Sequence, residues 1–225
     1  MPEAVIVDCV RTAIGKAPRG SLRNTRPDDL AALVIRGLLE RHPSVDPSLI
    51  DDVVLGCAMP EAEQGMNMAR IAALLAGLPD SVPGMTINRF CSSGLQSIAI
   101  AANQIRAVSA SAVIAGGAES MSLLPKAGHG FAPNPDLVDN RPEIYINMGL
   151  TAERVQAKYK INREDQDAFA YRSHQKALAA LEEDLFQQET IPVTVHETVR
   201  KNGSSGSREF VFDRDEGPRA DTSLE

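Results

Sequence analysis

The chain has 225 residues, 43% hydrophobic and 24% charged, with 23 Lys and Arg against 30 Asp and Glu for a net charge of −7. This describes one large folded domain, or one with a smaller module, and excludes wholesale disorder. The acidic balance and 4% aromatic content, with no Trp, exclude the basic, aromatic-studded surface of a nucleic-acid binder.

In chain order, Ala4-Val5-Ile6-Val7 is a β-branched run and a candidate first strand. Pro27, Asp28 and Asp29 suit the first turn and positive dipole end of a helix that continues through Leu30, Leu33, Val34 and Leu38. Val53-Val54-Leu55 is a buried strand closed by Gly56, and a helix from about Met68 to Leu78 follows. The apolar stretch Met66–Leu78 fits either a buried crossover helix or a contact with a partner subunit. Met85-Thr86-Ile87-Asn88 is a third strand, and a turn through Arg89-Phe90-Cys91-Ser92-Ser93-Gly94 leads into a helix reaching about Val108. Ala112-Val113-Ile114-Ala115 closes the series before Gly116-Gly117. Strands separated by helices predict a parallel sheet with right-handed crossovers in a layered α/β domain.

From Ser120 the texture changes. Leu123–Glu143, with four prolines, reads as a long ordered excursion. Thr151–Tyr159 and Arg163 to about Phe186 read as helices, with Asn162 capping the second and Asp165 in the capping-box position. Ile191–Val195 is a strand candidate, Lys201–Arg208 a Gly/Ser-rich loop, and Thr222–Glu225 a helix start. The expected division is 1–119 for the α/β half and 120–225 for a second domain. No run nears the ~18 apolar residues of a membrane span. Asp8 interrupts the early apolar run, so no signal peptide is expected.

Three scattered cysteines, Cys9, Cys57 and Cys91, make no disulfide framework, which points to a reducing, cytoplasmic interior. Cys9 and Cys57 follow aliphatic runs, as core cysteines do. Cys91 falls between a strand and a helix, beside small residues, where helix N–H groups favour a thiolate. Open α/β sheets place their sites at this carboxyl edge. The bland alternative is a buried small hydrophobe. The four histidines form no metal-ligand pattern, and no metal is expected. His174 reads as solvated, while His129 lies in the Gly-flanked stretch Gly128-His129-Gly130. Gly116-Gly117-Ala118-Glu119 lacks a full G-x-G-x-x-G and reads as a tight turn needing positive φ.

Several segments together resemble the thiolase family. They are Arg11-Thr12-Ala13-Ile14-Gly15-Lys16, Asn88 to Ser97 around Cys91, Gly116 to Ser122, Met148 to Glu153, and Asp165 to Ala170. The resemblance implies a thiolase-like layered α/β/α domain with a mixed, largely parallel sheet, plus an inserted CoA-binding loop domain. The second thiolase half has no counterpart in this sequence. The implied reaction is thiolysis of a 3-ketoacyl-CoA to acetyl-CoA and a shortened acyl-CoA through a Cys91 thioester, or the reverse condensation. Such an enzyme is an acetyl-CoA C-acyltransferase or acetyl-CoA C-acetyltransferase, with coenzyme A as substrate and no permanent cofactor. Ser92 and Ser93 are small polar packers. Arg219 matches a position near the CoA adenine and Met148 one lining the pantetheine channel.

In short-chain acetoacetyl-CoA thiolases a histidine usually precedes this Met-Gly. Asn147 stands there instead, which tilts the reading towards degradative 3-ketoacyl-CoA thiolases of fatty-acid β-oxidation. The family's activating histidine and second cysteine lie in the missing half, so these residues alone are expected to be inactive. Homodimers or tetramers are implied for a complete enzyme. The alternatives are a decarboxylating ketoacyl synthase, a non-catalytic acyl-CoA or lipid carrier built from a thiolase-like half, and a structural module. An incomplete domain is also expected to expose apolar surface and unpaired strand edges.

Overall fold

The computed structural model describes residues 2–125, 128–201 and 204–224. Contacts divide the chain into two compact units, one running to His129 and resuming over Phe186–Gly217, the other Gly130–Leu185 with Pro218–Glu225.

The first unit is built on three parallel strands, β1 (Asp52–Gly56), β2 (Gly84–Ile87) and β3 (Val113–Gly117), in the order β2-β1-β3. The register pairs Val54 with Met85 on one side and with Ala115 on the other. Helix α2 (Met68–Leu75) crosses from β1 to β2, and α3 (Ser93–Arg106) crosses back from β2 past β1 to β3. The two crossovers run in opposite directions, so a common right hand puts α2 and α3 on opposite faces of the sheet. Helix α1 (Pro27–Arg41) packs beside α2, completing an α/β/α arrangement. The core lies between the sheet and these two helices, where Ile35, Val53, Leu55, Met68, Ala72 and Ile114 are buried together.

Local chemistry explains the starts and stops. Pro27 opens α1 with Asp28 and Asp29 in its first turn and Arg41 in its last. The Asn67 side chain caps α2 at the Arg70 N–H. That helix ends before Gly77, which sits at φ 90. Its Ala69, Ala72 and Ala73 are buried while Leu74 and Leu75, and Met66 ahead of it, are exposed, so α2 is a crossover helix with one apolar flank open.

Two strand readings change. Residues 4–7 enter no ladder; Ile6 is 76% and Val7 81% exposed. β-branched composition alone makes no strand without a neighbour to pair with. A cavity of about 900 Å³ lies beside β3, lined by Val5, Val7, Val34, Ile98, Ile105 and Val113 among others. Apolar surface next to an outer strand is therefore a feature of this unit. The Gly/Ser-rich stretch, in contrast, forms β5 (Ser204–Phe212), paired antiparallel to β4 (Val193–Lys201). Phe212 packs with Val193, Val195 and Ala13, and Phe210 borders them. Backbone pairing needs no side chain, so Ser and Gly extend the ladder beyond this anchor. Asn202 and Gly203 lie outside the described residues.

The second unit holds α4 (Pro135–Asn140), α5 (Met148–Tyr159) and α6 (Arg163–Glu182). Helix α4 lies inside the proline-rich excursion because Asn134 accepts from the Asp136 and Leu137 N–H groups ahead of Pro135. Asn162 caps α6 at the Asp165 N–H, 2.7 Å away. Residues 222–224 form no helix.

At Gly56 the sheet and α3 meet backbone to backbone. A β-carbon there would lie 2.4 Å from the Ser93 carbonyl carbon. Gly56→Ala is therefore expected to push α3 away from β1 and to lower unfolding free energy by about 1–3 kcal/mol, measured by urea denaturation. An unchanged midpoint would mean that the helix yields without cost.

Candidate active site

Strands β1, β2 and β3 end in register at Gly56, Ile87 and Gly117, so three loops leave from one edge of the sheet. The loop after β2 presents Cys91, which is exposed and lies two residues before the first residue of α3. A buried small-hydrophobe reading does not apply to it. Its neighbour Phe90 takes φ 47 and is itself exposed. A left-handed bulky residue costs about 1–3 kcal/mol and persists only where surrounding bonds over-determine it. Those bonds are present. The Phe90 N–H donates to Asn88 Oδ1 at 2.8 Å. Ser93 Oγ accepts from the Arg89 N–H at 2.8 Å and donates to the Phe90 carbonyl at 2.6 Å. Ser92 Oγ donates to the Arg89 carbonyl at 2.9 Å. Ser92 and Ser93 are thus turn clamps as well as small packers.

The loops after β1 and β3 are joined by a polar cluster. Glu119 accepts the Ala58 N–H at 2.5 Å and also the Gln64 side-chain amide. Gln64 is fully buried; it donates to the Met59 carbonyl and accepts from the Ser120 N–H at 2.9 Å. Cys57 lies in the same cluster, 1% exposed, with Sγ 3.9 Å from Glu119 Oε1. Burial first, and then the Glu119 carboxylate, push its thiol up to about 12. Cys57 is an inert core cysteine. Cys9, expected in the same role, is exposed instead, because its segment enters no ladder.

Neither Gly116 nor Gly117 has positive φ; among the described glycines that conformation occurs at Gly77 and Gly128. Gly117 serves close approach, since a β-carbon there would lie 2.8 Å from the Gly56 carbonyl oxygen. The buried Ser97 hydroxyl lies 2.7 Å from the Gly116 carbonyl and 2.6 Å from that of Gly94, tying α3 to β3.

The Arg11–Lys16 segment is a clasp. The Arg11 guanidinium pairs with Asp215 at 2.8 and 3.1 Å and with Glu189 at 2.7 Å. Glu216 accepts from the Lys16 and Ser21 N–H groups. Burial acts to raise the Asp215 carboxyl, but the Arg11 and Ile14 bonds outweigh it and hold the group below its ordinary value.

In the second unit, Met148 is the first residue of α5 and 73% exposed. Asn147 is the cap of that helix, accepting from the Leu150 N–H at 2.9 Å. Arg219 directs its guanidinium towards Asp221, at 3.4 Å, and donates its backbone N–H to His174 Nδ1 at 3.1 Å. His174 is half-buried, so a residue read as merely solvated anchors the Arg219 backbone; nothing in the sequence ties the two positions. Of the other three, His42 and His196 use their rings elsewhere and His129 makes a backbone contact. His42 bonds Asp8, the His129 N–H donates to Glu61, and His196 pairs with Glu209.

The geometry is that of a layered α/β class, a parallel sheet between helices with an exposed thiol in the turn after one outer strand. Comparison with known proteins narrows the class. The N-terminal domain of thiolases matches residues 4–225, and the chain belongs to the thiolase family. It is 51% identical over 226 residues to a 3-ketoacyl-CoA thiolase of Bacillus subtilis (strain 168), covering all of this chain and 58% of that protein. To a 3-ketoacyl-CoA thiolase of Pseudoalteromonas translucida (strain TAC 125) it is 43% identical, over 100% of this chain and 56% of the relative. The crystal structure of the Bacillus anthracis acetyl-CoA acetyltransferase superposes with a TM-score of 0.80 at 37% identity, covering 98% of this chain and 56% of that one. The chain thus spans a little over half the length of these relatives. Among the described residues, no helix is long and apolar enough to cross a membrane.

The folded state keeps a proton on Cys57 that the unfolded chain releases above about pH 9. The stabilisation is whole below that pH and is lost as pH rises towards 12. Iodoacetamide at pH 8 is therefore expected to label Cys91 and Cys9 but to spare Cys57 until denaturant is added, read by peptide mass spectrometry. Labelling of Cys57 at the rate of Cys9 would contradict its burial.

Proposed function

We propose that this chain supplies the nucleophile and the CoA-binding portion of an acetyl-CoA C-acyltransferase that cleaves 3-ketoacyl-CoA. The observation that carries this is the exposed Cys91 thiol, displayed after left-handed Phe90 at the sheet's carboxyl edge, in a chain of the thiolase family. The Cys91 thiolate adds to the C3 carbonyl of the substrate. Collapse of that adduct breaks the C2–C3 bond, and the departing two-carbon carbanion takes a proton to become acetyl-CoA. The shortened acyl group stays on Cys91 as a thioester. The thiol of a second CoA, losing its proton to a base, attacks that thioester, and Cys91 leaves as thiolate. A thiolate suits both halves because it is a good nucleophile and a good leaving group.

Met148 and Arg219 are the candidate contacts for the pantetheine arm and the adenine end. An arginine stacks on a ring and pairs with phosphate, and the His174 bond to the Arg219 N–H supports a fixed backbone there. The proton transfers are assigned to groups in the part of the thiolase relatives that this chain does not span. Degradation of fatty acyl chains, a cytoplasmic setting and assembly as a homodimer or tetramer complete the reading.

Two experiments test it with acetoacetyl-CoA and CoA, following acetyl-CoA formation. Residues 1–225 alone are expected to give no turnover, and turnover would sink the requirement for further residues. In a complete protein containing this chain, Cys91→Ala is expected to reduce thiolysis by about a thousandfold or more. Undiminished activity would remove Cys91 as nucleophile.

A further inference from the structure

The turn that bears Cys91 is anchored to the rest of the sheet edge through one side chain. Asn88 Nδ2 donates to the Ala58 carbonyl at 3.0 Å, while Asn88 Oδ1 accepts the Phe90 N–H at 2.8 Å. One carboxamide therefore joins the loop after β1 to the strained residue immediately before the thiol. Ala58 is itself fixed, since its N–H donates to Glu119, which is held by fully buried Gln64. The chain of contacts runs from a core glutamine through Glu119, the Ala58 peptide and Asn88 to the Phe90 N–H.

We propose that Asn88 is a positioning residue for Cys91, acting by locking Phe90 in its left-handed conformation against the Ala58 peptide. This rests on the reading of Cys91 as nucleophile given above. The chemistry at position 88 is restrictive. The side chain must donate to a carbonyl and accept from an N–H at once, which a carboxamide does and an ionised carboxylate does not. It must also be short enough to close on the N–H two residues ahead, as Asn does and Gln does not. The Ser93 clamps act on Arg89 N–H and Phe90 C=O, so the Phe90 N–H depends on Asn88.

The test compares alkylation of Cys91 with that of Cys9 in the same molecule. Cys9 is an exposed thiol on a segment outside the sheet, and protection of Cys57 reports whether the core is intact. In the parent chain Cys91 is expected to react faster than Cys9, since its place before a helix favours the thiolate; equal rates would mean that this turn does not activate the thiol and would overturn the positioning proposal, while Cys91→Ala in a complete protein tests the nucleophile reading separately. In Asn88→Ala the Cys91-to-Cys9 rate ratio is expected to fall severalfold as the thiol leaves the helix start that favours its thiolate, with Cys57 still protected. Asn88→Ser restores an acceptor for the Phe90 N–H and is expected to recover part of the loss. Asn88→Asp keeps that acceptor but turns a carboxylate on the Ala58 carbonyl, and is expected to fall between Ala and the parent. A ratio unchanged in Asn88→Ala with Cys57 protected overturns the proposal. Loss of Cys57 protection in all three variants also overturns it, by making Asn88 a determinant of folding.

Discussion

The first turn of α3 lies on β1 with nothing between the two backbones. Gly56 makes this possible, and Gly117 repeats the device between β3 and β1. Close contact of a helix start with the middle strand fixes the height of the preceding turn above the sheet, and so the height of Cys91. Ser97 adds direction, because its buried hydroxyl ties α3 to the Gly116 carbonyl at 2.7 Å. Small residues and one hydroxyl do what a larger interface could not, since any added side chain would lift the helix.

Polar groups then set the lateral arrangement. Gln64 is wholly buried and reaches the Met59 carbonyl, the Ser120 N–H and Glu119. A buried amide is tolerated because donors and acceptors on both sides of it are satisfied. Gln64 thus joins the loops after β1 and β3, and Asn88 adds the loop after β2 through the Ala58 carbonyl. The hairpin β4–β5 and the Arg11–Asp215 clasp do the same for the opposite end of the unit's sequence, closing a ring of contacts between residues about two hundred positions apart.

Elements whose signals are local were legible in the sequence. Pro27 with Asp28 and Asp29, Asn162 with Asp165, and the aliphatic runs at 53–55 and 113–115 each carry their own start, stop or periodicity. Residues 4–7 misled because a strand is a property of pairs, and composition reports only one member. The β5 strand was hidden by Ser and Gly, although Asn202-Gly203 is the dipeptide that most often announces a hairpin and Phe210 and Phe212 alternate behind it. Cys91 stood out because its neighbours in sequence are also its neighbours in space. Its supports at Ala58, Gln64 and Glu119 were illegible for the opposite reason, since they arrive from other loops. Gly116 and Gly117 looked like conformational glycines and proved to be spatial ones at Gly117, a distinction that only a neighbouring backbone reveals. The candidate roles of Arg219 and Met148 rest on family resemblance alone, and the His174 contact with the Arg219 backbone was legible by neither route.

Asn147 carries a consequence for how such proteins diverge. By the resemblance short-chain acetoacetyl-CoA thiolases usually carry histidine at this position, and the structure makes the Asn147 side chain the cap of α5. Asn is among the best residues at a helix start, and losing such a cap costs about 1 kcal/mol. Exchanging it for histidine would therefore trade helix anchorage for a new side chain at the same step. The acceptor now given to the Leu150 N–H would then have to come from the imidazole or from a neighbouring group, so specificity and the start of α5 draw on the same side chain.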